Sequence, residues 1–115
     1  MNLYLNTAKN SVILVELREA KKVIISKEIE AKHRQAEKLI PLVDSLLKAK
    51  KKSLSDIKNI IVENKGEGFT SLRIGVTTAN ALAYALGAIL ETPKQGRVKF
   101  AKPEYERPPS ITLKK

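Results

Sequence analysis

The hydrophobic pattern changes its period near residue 33, and this change limits the folds open to the chain. Before it, three segments are apolar or alternate between apolar and polar residues, as β-strands do: 3–5, 11–17 and 22–30. After it, apolar residues recur at spacings of three and four, which predicts an amphipathic helix. These residues are Ala36, Leu39, Ile40, Val43, Leu46 and Leu47. We therefore expect an antiparallel meander followed by a helix.

The second half of the chain adds a strand, a long helix and a last strand. Residues 59–63 form a compact apolar segment, residues 69–90 have helical spacing, and residues 97–101 have the character of a strand. At 115 residues the chain is one domain. The order predicts an α/β fold in which a mixed five-stranded sheet, with the meander first, packs against two main helices on at least one face.

The composition shifts after residue 91. Residues 92–115 contain four of the five prolines, and they carry seven Lys and Arg residues against two glutamates. That excess is half of the chain's net charge of +10. We place a single lobe at residues 1–91 and a basic, proline-rich segment at 92–115, which is expected to be extended beyond its one strand.

The residue inventory excludes most catalytic chemistry. The chain has no cysteine, which rules out disulfides, iron–sulfur clusters and thiol nucleophiles, and its one histidine is His33. Its two aspartates, Asp44 and Asp56, do not have the spacing of a metal-binding loop. Gly66 and Gly68 precede a helix, but no Gly-Lys-Ser/Thr follows them, which favours a plain turn over a phosphate cradle. We assign no catalytic residue, metal or cofactor.

Nothing in the sequence predicts export or a membrane span. The first five residues lack the basic start and long apolar stretch of a secretory signal. The longest uncharged run, 74–90, is shorter than the roughly 20 residues that a spanning helix needs. A buried helix accounts for it better. We expect a cytoplasmic protein without a membrane contact.

The second helix has an unusual outer face. At about 100° per residue, one face should lie on the sheet; it comprises Leu72, Val76, Ala79, Ala83, Leu86 and Leu90. The opposite face comprises Thr70, Arg73, Thr77, Ala81, Tyr84 and Ala88, and Arg73 is its only charge. Either other parts of this chain cover that face, or a partner protein does. Because little chain remains to cover it, the pattern favours a partner interface.

The basic residues permit a contact with nucleic acid. Lys48 and residues 50–52 form a positive cluster that would attract phosphates in a salt-dependent way. Aromatic residues are only 4% of the chain, however, and no aromatic RNA-binding strand motif is present. Direct RNA binding, weak electrostatic assistance to a larger complex, and a purely solubilising charge all remain open.

Two segments resemble the TsaB/YeaZ family. Residues 31–44 contain His33 and then Leu39-Ile40-Pro41, where the family has a histidine followed by Leu-Leu-Pro. Residues 69–75 match the family signature Phe-Thr-Gly-Leu-Arg-Ile-Gly except at Ser71. The tail weakly resembles the Pro-x-Tyr-x-x-x-Pro-x-Ile-Thr endings of some members. The resemblance implies a ribonuclease-H-like or actin-like lobe over residues 1–90.

The resemblance also implies a function. Family members are non-catalytic partners of TsaD, the larger subunit that transfers the threonylcarbamoyl group to adenosine in tRNA. We accordingly expect a heterodimer with a TsaD-like subunit, a homodimer when the chain is alone, and an interface that adds Lys38 and Leu42 to the outer face of the second helix. Lys50, Lys51 and Lys52 are expected to contact tRNA indirectly or weakly. The alternative is a small, basic, self-associating protein that binds RNA directly.

The departures from the family pattern limit the expected chemistry. Family members have two lobes and about twice this length, so we expect a shortened form without the second lobe. The family's Asp-Thr-Ser segment is Asn6-Thr7-Ala8 here, without its carboxylate. Because nucleotides in such folds lie in the cleft between two lobes, no nucleotide hydrolysis is expected.

Overall fold

A six-stranded mixed sheet forms the centre of the structure. The computed structural model describes residues 1–9, 11–66 and 69–105. The strands of this sheet are β1 (Asn2–Asn6), β2 (Val12–Glu19), β3 (Lys22–Glu30), β4 (Asn59–Glu63), β6 (Ile89–Thr92) and β7 (Gly96–Val98). The two helices are α1 (Gln35–Ala49) and α2 (Phe69–Leu86), and the short strands β5 (Lys65–Gly66) and β8 (Glu104–Tyr105) form a separate parallel pair.

The strand order is β3-β2-β1-β4-β6-β7. The meander β1–β2–β3 is antiparallel, whereas β1, β4 and β6 are parallel neighbours. Parallel strands require long crossovers, and α1 and α2 occupy these two crossovers. The predicted mixed α/β lobe with its meander first is confirmed.

Both helices pack on the same face of the sheet. Alternate residues of each strand point toward them, so Leu5 of β1, Val15 of β2 and Val62 of β4 are completely buried. The register places these three residues side by side, where they form the middle of the hydrophobic core. The core therefore lies between the sheet and the helices, and the other sheet face carries the half-buried residues.

The sheet has one strand more than the five predicted. The sequence pattern continues the second helix to residue 90, but α2 ends at Leu86 and residues 89–92 form β6. Gly87 stops the helix because it takes a left-handed conformation with φ 64°, and the Ala88 amide then donates to the Ala83 carbonyl at 3.0 Å. The expected lobe boundary at residue 91 falls inside β6.

The first residues of the expected C-terminal segment, 92–115, belong to the sheet. The last strand, expected over 97–101, is β7 at Gly96–Val98, which pairs antiparallel with β6. Ala101 is buried in the core. Residues 106–115 of the expected tail, like Gly68 of the expected turn, lie outside the described residues.

A polar network occupies the outer face of the sheet. The Tyr4 hydroxyl donates to Glu63 Oε2 at 3.2 Å, and Asn6 Nδ2 donates to the Tyr4 oxygen at 3.1 Å. The Arg18 guanidinium lies over the Tyr4 ring at 4.0 Å and pairs with Glu16 at 2.7 Å. Burial, followed by the nearby Glu63 charge, raises the pKa of the Tyr4 phenol above its usual value.

The start of α2 fits closely against the end of β1. Thr7 is fully buried, and its hydroxyl donates to the Ser71 carbonyl at 2.6 Å. Gln35, in the first turn of α1, donates from Nε2 to Ser71 Oγ at 2.7 Å. A Cβ at Gly75 would collide with Oγ1 of Thr7. The absence of a side chain at Gly75 therefore lets the helix backbone approach β1.

This contact predicts the sign of a stability change. Helix propensity alone would make Gly75→Ala stabilising by about 1 kcal/mol. We expect it instead to lower the free energy of unfolding by about 1–3 kcal/mol, because the new methyl group collides with Thr7. Urea denaturation followed by circular dichroism measures the change.

Thr7→Ala supplies the control because it removes Oγ1 and Cγ2, the two atoms that the new methyl group would meet most closely. Alone, it should cost about 1–3 kcal/mol, because the hydrogen bond to Ser71 is removed. In the double variant the total loss of unfolding free energy should be smaller than the sum of the two single losses by about 1 kcal/mol or more. Simple additivity would contradict the proposed collision.

Candidate protein interface

Helix α2 has one buried face and one open face. Val76, Ala79 and Ala83 are buried in the core that joins the helix to the sheet, and Leu72 is also buried. Four of the residues assigned from sequence to the opposite face are exposed, namely Thr70, Arg73, Thr77 and Ala81. Tyr84 lies on the same side and is 91% exposed. Helix α2 has 18 residues, and its open face carries one charge. This face therefore differs from the rest of the protein surface, which is rich in lysine.

The contribution of α1 differs from the sequence prediction. Leu42 is only 7% exposed and packs in the core, so it lies beneath the surface. Lys38 is exposed, but the helical repeat of about 100° per residue places it about 160° around the axis from Ile40. Ile40, which is 45% exposed, and Ala36 border α2 instead.

A polar residue at a buried position explains this difference. The sequence pattern assigns Ala36 and Ile40 to the core face because they are apolar. The structure turns Gln35 inward instead, since its amide bonds Ser71 of α2. This rotation exposes Ala36 and Ile40. A buried glutamine paired with a serine 36 positions away leaves no periodic signal in the sequence.

Two hollows flank the open face of α2. The first, of about 440 Å³, separates α2 from α1 and is lined by Ala36, Thr70, Arg73, Ile74, Thr77 and Thr78. The second, of about 810 Å³, separates α2 from the chain around β7. Its apolar residues include Ala81, Ala83, Ala88, Ile89, Leu90 and Val98. Tyr84 and Phe100, which is 63% exposed, also line the second hollow.

The structure brings most of the predicted interface residues together. Thr70, Arg73 and Thr77 line the first hollow, and Ala81 and Tyr84 line the second. Ala88 lies just beyond the end of α2, where it is half-buried in the second hollow. Sequence reasoning missed Phe100, which it assigned to a strand.

The predicted tRNA-contacting lysines lie elsewhere. Lys50, Lys51 and Lys52 follow the last residue of α1, and all three are exposed. None of them lines either hollow. They form a separate cationic cluster at the end of α1.

The described residues present no metal site or membrane-spanning helix. Over residues 1–9, 11–66 and 69–105, no three His, Cys, Asp or Glu side chains are grouped as metal ligands. Neither α1 nor α2 has the length and apolar character to cross a bilayer. The main feature of this side of the molecule is the open face of α2 with a hollow on either side.

Comparison with known proteins gives the family. Residues 22–90, more than half of the chain, match the family model described as TsaD, tRNA N6-adenosine threonylcarbamoyltransferase. The chain belongs to this family. The match runs from the start of β3 into β6, so it includes both helices of the candidate interface.

Among solved structures, this TsaD-family chain is similar to YeaZ. YeaZ from Pseudomonas aeruginosa superposes with a TM-score of 0.70 at 27% identity, covering 79% of this chain and 42% of that chain. An uncharacterized protein with similarity to the peptidase YEAZ, from the same organism, gives 0.71 at 27% identity, covering 79% and 41%. These matches confirm the resemblance to TsaB/YeaZ and the actin-like fold. A search of curated proteins finds no match.

The chain spans about two-fifths of the length of these two structures. The matched region is most of this chain and less than half of each of those proteins. The likeness to YeaZ therefore concerns a part of that protein.

The two faces of α2 should respond differently to alanine substitution, because only one of them is buried. Tyr84→Ala should change the free energy of unfolding by less than about 0.5 kcal/mol, since its side chain touches little in the isolated chain. Leu72→Ala, on the buried face of the same helix, should cost about 2–5 kcal/mol. Chemical denaturation of both variants provides the comparison, and a cost for Tyr84→Ala near that of Leu72→Ala would show that α2 packs differently.

Proposed function

We propose that this chain is a non-catalytic subunit that binds a TsaD-type catalytic subunit through the open face of α2. In this role it supports the synthesis of threonylcarbamoyladenosine in tRNA. The observation that carries the proposal is the nearly uncharged, exposed face of α2 between two hollows. Family membership supplies the chemical context of that contact.

The character of the surface supports a lasting protein contact. Thr77 and Ala81 have short side chains at the middle of the open face, so a partner helix can approach the α2 backbone closely. Ile40 and Tyr84 extend the surface on either side with larger apolar groups. Interfaces of long-lived complexes combine such a well-packed apolar centre with few charges.

The polar groups of the lobe support a non-catalytic role. Buried Thr7, Ser71 and Gln35 bond to one another or to the backbone, where they fix α2 in place. The Tyr4 phenol and Glu63 bond to each other on the opposite face of the sheet. These groups have structural partners, so the proposal gives none of them a reacting role.

The lysine cluster supports a secondary contact with tRNA. Lys50, Lys51 and Lys52 are exposed and lie outside both hollows, so a subunit bound at α2 leaves them accessible. Phosphates attract such clusters at long range and without sequence preference. We propose that the cluster strengthens tRNA binding by the assembled complex.

A substitution at the centre of the open face tests the partner contact. Thr77→Arg should weaken binding to the TsaD-type subunit of the same organism by about 100-fold or more, because a long charged side chain would be buried in an apolar interface. Isothermal titration calorimetry gives the dissociation constant, and light scattering after size exclusion gives the stoichiometry.

Ser26→Arg is the matched control, because Ser26 is an exposed residue of β3 on the opposite side of the sheet. It adds the same side chain and should leave the affinity unchanged. If the wild-type chain forms no complex, the proposed function is wrong. Equal affinities for both variants would place the contact away from α2.

The tRNA contact predicts a change in salt dependence. Replacing Lys50, Lys51 and Lys52 by alanine should make the slope of log affinity against log salt shallower by about one for each phosphate that the variant no longer neutralises. Filter binding of tRNA to the assembled complex at several salt concentrations measures this slope. An unchanged slope would mean that the lysines only solubilise the chain.

A further inference from the structure

The second hollow has walls that are fixed in place. Asn80 of α2 donates from Nδ2 to the Ala101 carbonyl at 2.9 Å and accepts from the Ala101 amide at 2.8 Å. This reciprocal pair fastens the chain after β7 to the helix. Ala101 is buried, whereas the preceding Phe100 is largely exposed. The hollow between Tyr84 and Phe100 is therefore a preformed groove, which lowers the entropic cost of filling it.

The groove is chemically suited to apolar side chains. Its aliphatic residues provide apolar surface, and Tyr84 and Phe100 add exposed aromatic rings. Asn80 is the amide side chain in the lining, and both its polar atoms already bond Ala101. A nucleobase buried there would need partners for its polar edge, and the lining offers few beyond the hydroxyls of Thr77 and Tyr84, whereas an apolar side chain needs none. A volume of about 810 Å³ accommodates several side chains of a helix.

The surroundings of the groove are positively charged. Between residues 69 and 103 the basic residues are Arg73, Lys94, Arg97, Lys99 and Lys102. The single acidic residue in this stretch is Glu91, and the register of β6 and β7 places it directly opposite Arg97, so the two residues share the face of the sheet that lies away from buried Leu90. Lys99 is exposed and lines the groove, whereas the charge of Arg97, which also lines it, is partly offset by its cross-strand neighbour Glu91.

This charge distribution discriminates between occupants. In a symmetric pair of copies, the same patch would face itself and bring Lys99 near its own counterpart. Like charges placed together across an interface are unfavourable, whereas acidic residues there would be attracted. We infer that the groove receives the apolar side chains of an amphipathic helix that carries Asp or Glu residues along its edges. This inference rests on the proposed function, because it specifies the partner chemistry at the same surface.

Model helices provide a direct test. One peptide of about 18 residues, or five turns, carries Leu and Phe on one face and Glu along both edges; a matched peptide has Lys in place of Glu. We expect the Glu peptide to shift amide NMR signals of residues 77–88 and 97–101, and the Lys peptide to bind at least about tenfold more weakly. Raising NaCl from about 50 to about 300 mM should weaken the binding of the Glu peptide several-fold.

Variants locate the contact. Tyr84→Ala and Phe100→Ala should each weaken the Glu peptide by about tenfold, since exposed aromatic groups that become buried dominate such interfaces. Val23→Ala, at an exposed apolar residue of β3, is the matched control and should have no effect. Equal binding of the two peptides, or no binding of either, would overturn the inference.

Two further measurements examine the other occupants. An oligouridylate of about ten nucleotides that bound the same residues more tightly than the Glu peptide would identify a nucleic-acid groove instead. Self-association that broadened the same NMR signals would identify a second copy. Failure of the TsaD-type complex with successful binding of the Glu peptide would reject the proposed function while retaining this inference.

Discussion

The close approach of α2 to β1 determines which side of the helix faces outward. Gly75 removes the side chain that would separate the helix from Thr7, and the Thr7 hydroxyl bonds the Ser71 carbonyl. Ser71 in turn accepts a hydrogen bond from Gln35, which turns α1. This small buried cluster, together with the apolar residues that both helices bury in the core, orients the two helices. The open face of α2 and the two hollows beside it follow from that orientation.

The two sides of the domain differ in charge. The outer face of the sheet carries Glu16, Glu63 and Glu91, and the register adds Glu28 and Glu30 of β3. The helical side has a nearly uncharged centre with basic residues near its edges. The glutamates of the sheet therefore lie away from the open face of α2, and the acidic residues nearest to that face are Glu37 and Asp44 of α1. Such a surface would favour the acidic-edged partner that we infer.

Local pattern predicted the elements, and long-range contacts explain what it missed. The period-2 and period-3.6 segments indicated the meander and both helices, because one side of each element is buried. The end of α2 was missed since Gly87 lies within an uncharged run that continues the helical pattern. The rotation of α1 depends on Gln35 and Ser71, and the position of Phe100 depends on Asn80 and Ala101. These contacts join residues that are 21 to 36 positions apart, so local sequence patterns do not reveal them.

The same distinction applies to the candidate site. The open face of α2 was predictable because an 18-residue helix repeats its pattern several times. The residues that other elements contribute were not predicted. Ile40, and not Leu42, is the exposed apolar residue of α1, and Phe100, which follows β7, lines the second hollow. Helical spacing specifies one helix face well. It does not specify which neighbouring elements complete the surface.

The central claim is that a partner protein covers the open face of α2, and a fluorine label measures that coverage directly. Because the chain has no cysteine, Ala85→Cys and Glu28→Cys each provide one attachment site, the first beside Tyr84 and the second on the outer face of the sheet. Fluorine NMR with a soluble gadolinium chelate reports the accessibility of each label. On addition of the TsaD-type subunit, the label at position 85 should become shielded and the label at position 28 should remain accessible. A stable complex in which position 85 stays accessible would contradict the account.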